Sequence, residues 1–133
     1  MSGVKPVWCP GCGDFAVLSA VSKALAELRL EPHNVAVVSG IGCSSRIPAY
    51  VNSYGFHGLH GRALPLATGL KVARPDPTVI AAGGDGAGVS LGATTLRPAR
   101  RRPYDMTTTL MVNPDSGTSS GQPDTTTATA GSL

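Results

Sequence analysis

Three cysteines are the residues of this chain best suited to bind a metal cluster or to carry redox chemistry. Cys9 and Cys12 flank a Pro-Gly pair, and Cys43 follows a glycine-rich stretch. An odd number of cysteines is a poor basis for a disulfide framework, whereas thiolates are the natural ligands of iron–sulfur clusters. Two thiolates three residues apart can bind one cluster from a single turn, so the spacing indicates metal binding or redox chemistry.

Other roles for the thiols stay open when only the residues are considered. Zinc also binds cysteine, although no histidine lies at zinc-knuckle spacing from Cys9 and Cys12. A thiol pair of the thioredoxin type has the same Cys-x-x-Cys spacing. Cysteines also pack as small hydrophobic side chains in protein cores.

A second candidate site is the triplet Gly84-Asp85-Gly86. The glycines allow a backbone to approach an anion closely, and a carboxylate can hold a hard cation such as Mg²⁺. A later β-like run ends at Asn113, whose amide oxygen suits the same octahedral ion bridging a diphosphate. Asp and Asn are also favoured in turns for local hydrogen bonding. A magnesium site and two ordinary turns therefore both remain open.

These residues follow segments with the patterns of helices and buried strands. Apolar residues recur at three- and four-residue spacing from Val17 to Leu28, which predicts a helix capped by Asp14 and ended by Pro32. The further predicted elements are a strand at Val35–Val38, a helix at Ala63–Ala73 with Pro65 in its first turn, and strands at Thr78–Ala82 and Thr107–Val112.

The order strand, helix, strand predicts parallel pairing through right-handed crossovers. Ligands of open parallel sheets collect at the carboxyl ends of the strands. The Gly40–Ser44 turn, the Gly84-Asp85-Gly86 triplet and Asn113 all fall at such ends. We therefore expect a three-layer α/β domain whose two glycine turns converge on one site.

Length and composition fit one domain, because the chain has 133 residues of which 41% are hydrophobic. Residues 1–116 are assigned to the α/β domain, and the polar composition of residues 117–133 predicts a flexible tail. The formal charge of +3 includes a cluster of arginines without interleaved aromatic residues, which favours a solvated face over a nucleic-acid site. Without a signal sequence or a span-length apolar run, a cytoplasmic protein with no membrane contact is expected.

Two segments around the cysteines resemble signatures of the β subunits of 2-oxoacid:ferredoxin oxidoreductases. They read Trp8-Cys-Pro-Gly-Cys-Gly-Asp14 and Ser39-Gly-Ile-Gly-Cys-Ser44, and the stretches His60–Ala63 and Ala67–Gly69 match as well. The Gly-Asp-Gly triplet followed by Asn113 resembles the thiamine-diphosphate motif. The resemblance implies a parallel sheet of the thiamine-diphosphate-binding type.

The resemblance also implies a set of cofactor contacts. Cys9, Cys12 and Cys43 would bind a 4Fe–4S cluster, whose fourth cysteine is expected beyond the end of this chain, so that the chain is expected to be truncated and its sheet incomplete. Mg²⁺ would be held by Asp85, Asn113 and the backbone carbonyl of Asp115. His60 and Arg62 are candidates for contacts with substrate or diphosphate. The implied thiamine diphosphate site comprises Ile41, Gly42, Cys43, Ser44, Gly84, Asp85, Gly86, Ala87, Gly117 and Thr118.

The implied reaction is oxidative decarboxylation of a 2-oxoacid, with 2-oxoglutarate favoured, to acyl-CoA and CO₂. Electrons would pass through the iron–sulfur cluster to ferredoxin, coenzyme A would take the acyl group, and an α subunit would complete the active site. Two alternatives stay open. One is a non-catalytic iron–sulfur or zinc-binding fragment, and the other is a cluster-free thiamine-dependent decarboxylase.

Overall fold

The computed structural model describes residues 1–86, 88, 94 and 105–111. Short 3₁₀ turns at Pro32–Asn34 and Cys43–Arg46 precede a strand and a helix, respectively. The helices are α1 (Asp14–Glu27), α2 (Ile47–Tyr50) and α3 (Ala63–Ala73), and the strands are β1 (Val35–Ser39), β2 (Tyr54–His57), β3 (Thr78–Gly84) and β4 (Met106–Met111). No helix in the described ranges is both long and apolar enough to cross a bilayer.

The described strands form one parallel sheet in the order β2-β1-β3-β4. Ser39 of β1 lies opposite His57 of β2 and Ala82 of β3. Gly84 at the end of β3 lies opposite Met111 at the end of β4. The carboxyl ends of all these strands therefore meet at one edge, which confirms the predicted parallel α/β sheet.

Apolar side chains cover both faces of the central strands β1 and β3. On one face, Leu18 of α1 and Ile47 of α2 cluster with Val37 of β1. On the other face, Leu64 of α3 clusters with Val38, the next residue of β1. Successive strand residues point to opposite faces, so β1 is buried on both sides between two layers of helix.

The sequence predicts the central elements well and the edge strand β2 not at all. Helix α3 begins and ends where the pattern predicts, while β1 and β3 extend one and two residues further. All of β2 is exposed, so it has no apolar alternation to detect. It also contains Gly55, where a Cβ would lie 3.0 Å from the Cβ of Pro48 in α2.

Two details of α1 differ from the prediction. Asp14 does not cap the helix with its side chain; Gly13 occupies the N-cap, and Asp14 is the first helical residue. The helix also ends at Glu27, before Pro32, because Arg29 adopts a left-handed φ of 51°. Leu28, predicted on the buried face, therefore lies past the last turn and is 67% exposed.

A buried lysine holds the connection between α3 and β3. Lys71 is 7% exposed, and its Nζ donates to the carbonyl oxygens of Pro75 and Pro77 at 2.7 Å each. A buried ammonium group is costly unless hydrogen-bonded, and two carbonyls satisfy it here. Lys71 thus fixes the turn that leads into β3 at the amino end of that strand.

Replacing Lys71 by methionine is expected to lower the free energy of unfolding by about 2 kcal/mol, because two carbonyls lose their charged donor. Lys23→Met, at an exposed position of α1, is the matched control and should change it by less than about 0.5 kcal/mol. Urea denaturation followed by circular dichroism measures both values. Equal stability of the two variants would contradict the structural role of Lys71.

Candidate functional site

The turn after β1 has an unusual backbone conformation. Gly42 has φ 110° and ψ −172°, a combination that residues with a side chain rarely adopt. A Cβ placed on Gly42 would meet no atom within 4 Å. The turn therefore faces open space, where a ligand can approach the backbone closely.

Hydrogen bonds within the turn, and others donated by residues outside it, fix the turn after β1. The N–H of Ser45 donates to the carbonyl oxygen of Gly42 at 3.1 Å, and the Ser45 hydroxyl donates to the same oxygen. The hydroxyl of Ser39 donates to the carbonyl oxygen of Ser45 at 2.7 Å. The indole Nε1–H of Trp8 donates to the carbonyl oxygen of Cys43 at 2.7 Å.

Trp8 thereby connects the segment that contains Cys9 and Cys12 to the turn that carries Cys43. Its side chain is 8% exposed and packs edge-on against Phe15 and Tyr50, with ring centroids 5.3 and 4.9 Å away. Directly after it, the N–H of Cys12 donates to the carbonyl oxygen of Cys9 at 3.0 Å, which closes a tight turn. The indole thus anchors this turn against the end of β1.

All three cysteines are free thiols; Cys9 and Cys43 are exposed and Cys12 is half-buried. A hydrogen bond from the backbone N–H of Asp14 lowers the pKa of Cys12, but desolvation, the Asp14 carboxylate and the Cys43 thiol outweigh it, so the pKa of Cys12 is raised. Within residues 1–86, 88, 94 and 105–111, no three His, Cys, Asp or Glu side chains are placed to hold a metal ion. Cluster ligation by the cysteines stays a prediction.

The Gly84-Asp85-Gly86 triplet lies beside the turn that follows β1, at the carboxyl end of β3. The N–H of Gly40 donates to the carbonyl oxygen of Ala82 at 3.4 Å, which joins the two strand ends. Asp85 is 9% exposed, and a Cβ on Gly86 would meet no atom within 4 Å. The structure therefore brings both predicted glycine turns to one edge of the sheet.

An open cleft of about 580 Å³ lies between the turn after β1 and the end of β2. Its lining includes the turn residues Ile41, Gly42, Cys43, Ser45 and Arg46, together with α2 and His57. The segments that line it contain no Asp or Glu. With Arg46 as its charged group, the cleft favours an anionic small molecule.

Arg46 and His57 were not among the predicted site residues. His57 lies at the end of the undetected strand β2, and its Nδ1 is 3.2 Å from the carbonyl oxygen of Ser45. Arg46 reaches the cleft because a 3₁₀ turn follows Gly42. No motif or periodic pattern in the sequence indicates either residue.

The other predicted residues divide into two groups. Ile41 is 43% exposed beside the cleft, whereas Ser44 is buried. His60 and Arg62 are exposed in the loop between β2 and α3, at the same edge of the sheet. The predicted residues outside the described part of the chain are Ala87, Asn113, Asp115, Gly117 and Thr118.

The described residues fit the implied cofactors to different extents. Open backbone at Gly42 and Gly86, on neighbouring strand ends, fits an anionic diphosphate. The carboxylate of Asp85 is a hard oxygen donor of the kind Mg²⁺ prefers. The thiols are chemically suited to iron or zinc, but the described residues do not bring the three of them into one metal-binding group.

Comparison with known proteins identifies the family of this arrangement. Residues 40–132 match the family model described as thiamine pyrophosphate enzyme, C-terminal TPP binding domain. Subunit beta of 2-oxoacid:ferredoxin oxidoreductase 2 from Aeropyrum pernix is 48% identical over 86% of this chain and 37% of its own length. The 2-oxoglutarate oxidoreductase subunit KorB from Mycobacterium tuberculosis is 47% identical over 86% of this chain and 31% of its own length.

A solved structure gives the same result in three dimensions. It is a 2-oxoglutarate:ferredoxin oxidoreductase from Magnetococcus marinus with 2-oxoglutarate, coenzyme A and succinyl-CoA bound. The match has a TM-score of 0.87 at 49% sequence identity and covers 92% of this chain and 42% of that one. The chain thus spans between 31% and 42% of the length of these three relatives.

Gly42→Ala is expected to destabilise the protein by about 1–3 kcal/mol, because the backbone conformation disfavours any side chain even in open space. Gly69→Ala in α3 is the matched control, since a Cβ there also meets no atom within 4 Å. It should stabilise the helix by up to about 1 kcal/mol. Urea unfolding measures both variants, and a Gly42→Ala protein as stable as the wild type would contradict the observed turn.

Proposed function

Since this chain belongs to the thiamine pyrophosphate enzymes through their C-terminal TPP-binding domain, we propose that it supplies the cofactor-binding part of a 2-oxoacid:ferredoxin oxidoreductase β subunit. One observation carries this proposal. The Ile41–Ser44 turn and the Gly84–Gly86 triplet meet at the neighbouring ends of β1 and β3. The similarity to β subunits of this class across most of the chain supports the same conclusion.

The chain's own residues would hold and orient the cofactor. Thiamine diphosphate, when bound, supplies the electron sink that allows a 2-oxoacid to lose CO₂. Ile41–Ser44 would line the thiamine, and Gly86, Ala87, Gly117 and Thr118 would meet the diphosphate. Asp85 would hold Mg²⁺ together with Asn113 and the backbone carbonyl of Asp115.

The cleft next to Gly42 supports 2-oxoglutarate as the substrate. A guanidinium can bind a carboxylate with two parallel hydrogen bonds, and Arg46 lines the cleft. The distal carboxylate of 2-oxoglutarate can use this cation, whereas pyruvate has no second carboxylate. The bound 2-oxoglutarate named for the Magnetococcus marinus relative agrees with this choice.

The electron route and the partners complete the proposed function. Cys9, Cys12 and Cys43 would ligate an iron–sulfur cluster, with a fourth cysteine from outside this chain. The hydrogen bond from Trp8 to Cys43 supports this, because it holds the cysteine turn beside the thiamine-lining turn. An α subunit, coenzyme A and ferredoxin are the proposed partners, and the cytoplasm is the proposed location.

Removing the Asp85 carboxylate tests the cofactor site. Asp85→Asn is expected to weaken Mg²⁺-dependent binding of thiamine diphosphate at least about tenfold, because the metal loses an anionic ligand. Asp76→Asn, exposed in the loop before β3, is the matched control and should bind like the wild type. Calorimetric titration of the anaerobically reconstituted protein gives the affinities, and urea unfolding checks that both variants fold.

Iron content of the same samples separates the alternatives. Iron without any thiamine diphosphate binding by the wild type would favour a non-catalytic cluster-binding fragment. Binding of thiamine diphosphate without iron would favour a cluster-free decarboxylase. Equal affinity of the wild type and Asp85→Asn would refute the assigned role of Asp85.

Arg46→Gln tests substrate choice. The wild type loaded with Mg²⁺ and thiamine diphosphate is expected to bind 2-oxoglutarate about tenfold more tightly than pyruvate, as one charge-assisted contact is worth about 1.5 kcal/mol. Arg46→Gln should bind the two acids equally, while Arg74→Gln, exposed after α3, should keep the preference. Ligand-observed NMR titration measures these affinities. A preference for pyruvate in the wild type would rule out 2-oxoglutarate as the favoured substrate.

A further inference from the structure

The carbonyl oxygen of Ser45 accepts hydrogen bonds from two neighbouring strands. The hydroxyl of Ser39, at the end of β1, donates to it at 2.7 Å. Nδ1 of His57, at the end of β2, lies 3.2 Å from it. Ser45 is 4% exposed and Ser39 is 0% exposed, so protein groups rather than bulk water satisfy this oxygen. We name these three residues the Ser45 clamp.

The chemistry of the acceptor determines the state of the histidine. A carbonyl oxygen accepts only, so Nδ1 of His57 must carry the proton in this contact. The backbone next to His57 is also fixed, because the N–H of Gly58 donates to the carbonyl oxygen of Ser39 at 2.8 Å. The end of β2 is therefore hydrogen-bonded both to the end of β1 and to the turn that follows β1.

We propose that His57 is a positioning residue, which links the edge strand β2 to the turn that carries Cys43 and Arg46. Ser45 lies between these two residues, and its carbonyl precedes the N–H of Arg46 in the same peptide unit. Fixing this oxygen therefore sets the direction in which Arg46 leaves the turn. The effect on ligands rests on the proposed function, whereas the effect on the turn does not.

A fixed turn matters because the cleft is open. An arginine that is already oriented loses less conformational entropy when an anion binds than one that must first be ordered. His57 also lines the cleft, so a contact with ligand and a positioning role must be separated by experiment. Asparagine achieves this, because its amide N–H₂ occupies the place of Nδ1–H while the rest of the ring is lost.

Two variants of His57 and one control define the test. His57→Leu removes the donor, His57→Asn keeps it, and His33→Leu changes an exposed histidine before β1. The ¹⁵N shift of the Arg46 amide reports hydrogen bonding at the preceding Ser45 carbonyl. His57→Leu is expected to move this resonance and to weaken 2-oxoglutarate binding about fivefold, the loss of about one hydrogen bond. His57→Asn should restore both values to within about twofold, and His33→Leu should change neither.

Combining the substitutions of the two donors gives a second, independent readout. Ser39→Ala and His57→Leu each leave Ser45 with one donor, while the double variant leaves a buried carbonyl unpaired. The double variant should therefore unfold more readily than the two single effects predict, by about tenfold in the equilibrium constant. Strictly additive effects, or an unmoved Arg46 resonance in His57→Leu, overturn the inference.

The same experiment distinguishes this inference from the proposed function. If the Arg46 resonance responds as expected but the wild type binds neither thiamine diphosphate nor 2-oxoglutarate, the clamp is supported and the proposed function fails. If His57→Asn keeps the resonance but loses 2-oxoglutarate binding as severely as His57→Leu, the imidazole contacts the ligand and positioning is refuted.

Discussion

Parallel pairing of β1 with β3 is the constraint on which the rest of the molecule depends. Its register places Ser39 opposite Ala82, so the turn after β1 and the triplet at the end of β3 begin within one residue of the same level of the sheet. A shift of one residue would turn each side chain of β1 to the opposite face and exchange its two apolar contacts. Burial on both faces therefore fixes the register, and the register brings the two glycine turns together.

Different hydrogen bonds support the connections at the two ends of the sheet. At the amino end of β3, the ammonium of Lys71 satisfies two carbonyls directly. At the carboxyl end, the carbonyl oxygens of Gly42, Cys43 and Ser45 accept hydrogen bonds that hold the turn, while the space next to Gly42 stays open. A binding turn that is open to ligand on one side keeps a fixed geometry only if the protein supports it elsewhere. The turn after β1 is supported in this way by its hydrogen bonds.

The sequence is informative wherever burial imposes a pattern. The apolar runs of β1 and β3 and the helical spacing of α3 predict these elements to within two residues, and the parallel sheet follows from their order. Exposed β2 has no such pattern, and the cap of α1 depends on the local conformation of Gly13 rather than on the type of Asp14. Of the candidate site, the resemblance indicates the turn and the triplet.

Arg46 and His57 could not be predicted, because each enters the cleft through tertiary structure. Arg46 needs the 3₁₀ turn after Gly42, and His57 needs the pairing of β2 with β1. Both residues are linked to Ser45. His57 is hydrogen-bonded to its carbonyl oxygen, and Arg46 is the next residue in the chain. The local sequence does not contain the contact between His57 and Ser45, since α2 separates these two residues along the chain.

Under the proposed function, the Cys43–Arg46 segment serves the electron route and the substrate at once. The indole of Trp8 holds it at Cys43, from the side of the cysteine pair, and the imidazole of His57 holds it at Ser45, from the side of the cleft. One short stretch of backbone thus joins both ligand environments. The two hydrogen-bonded carbonyls are two residues apart in one 3₁₀ turn, so a change that displaces one of them is expected to alter the orientation of the other. Under the proposed function, this would couple the environment of the cluster to the binding of substrate.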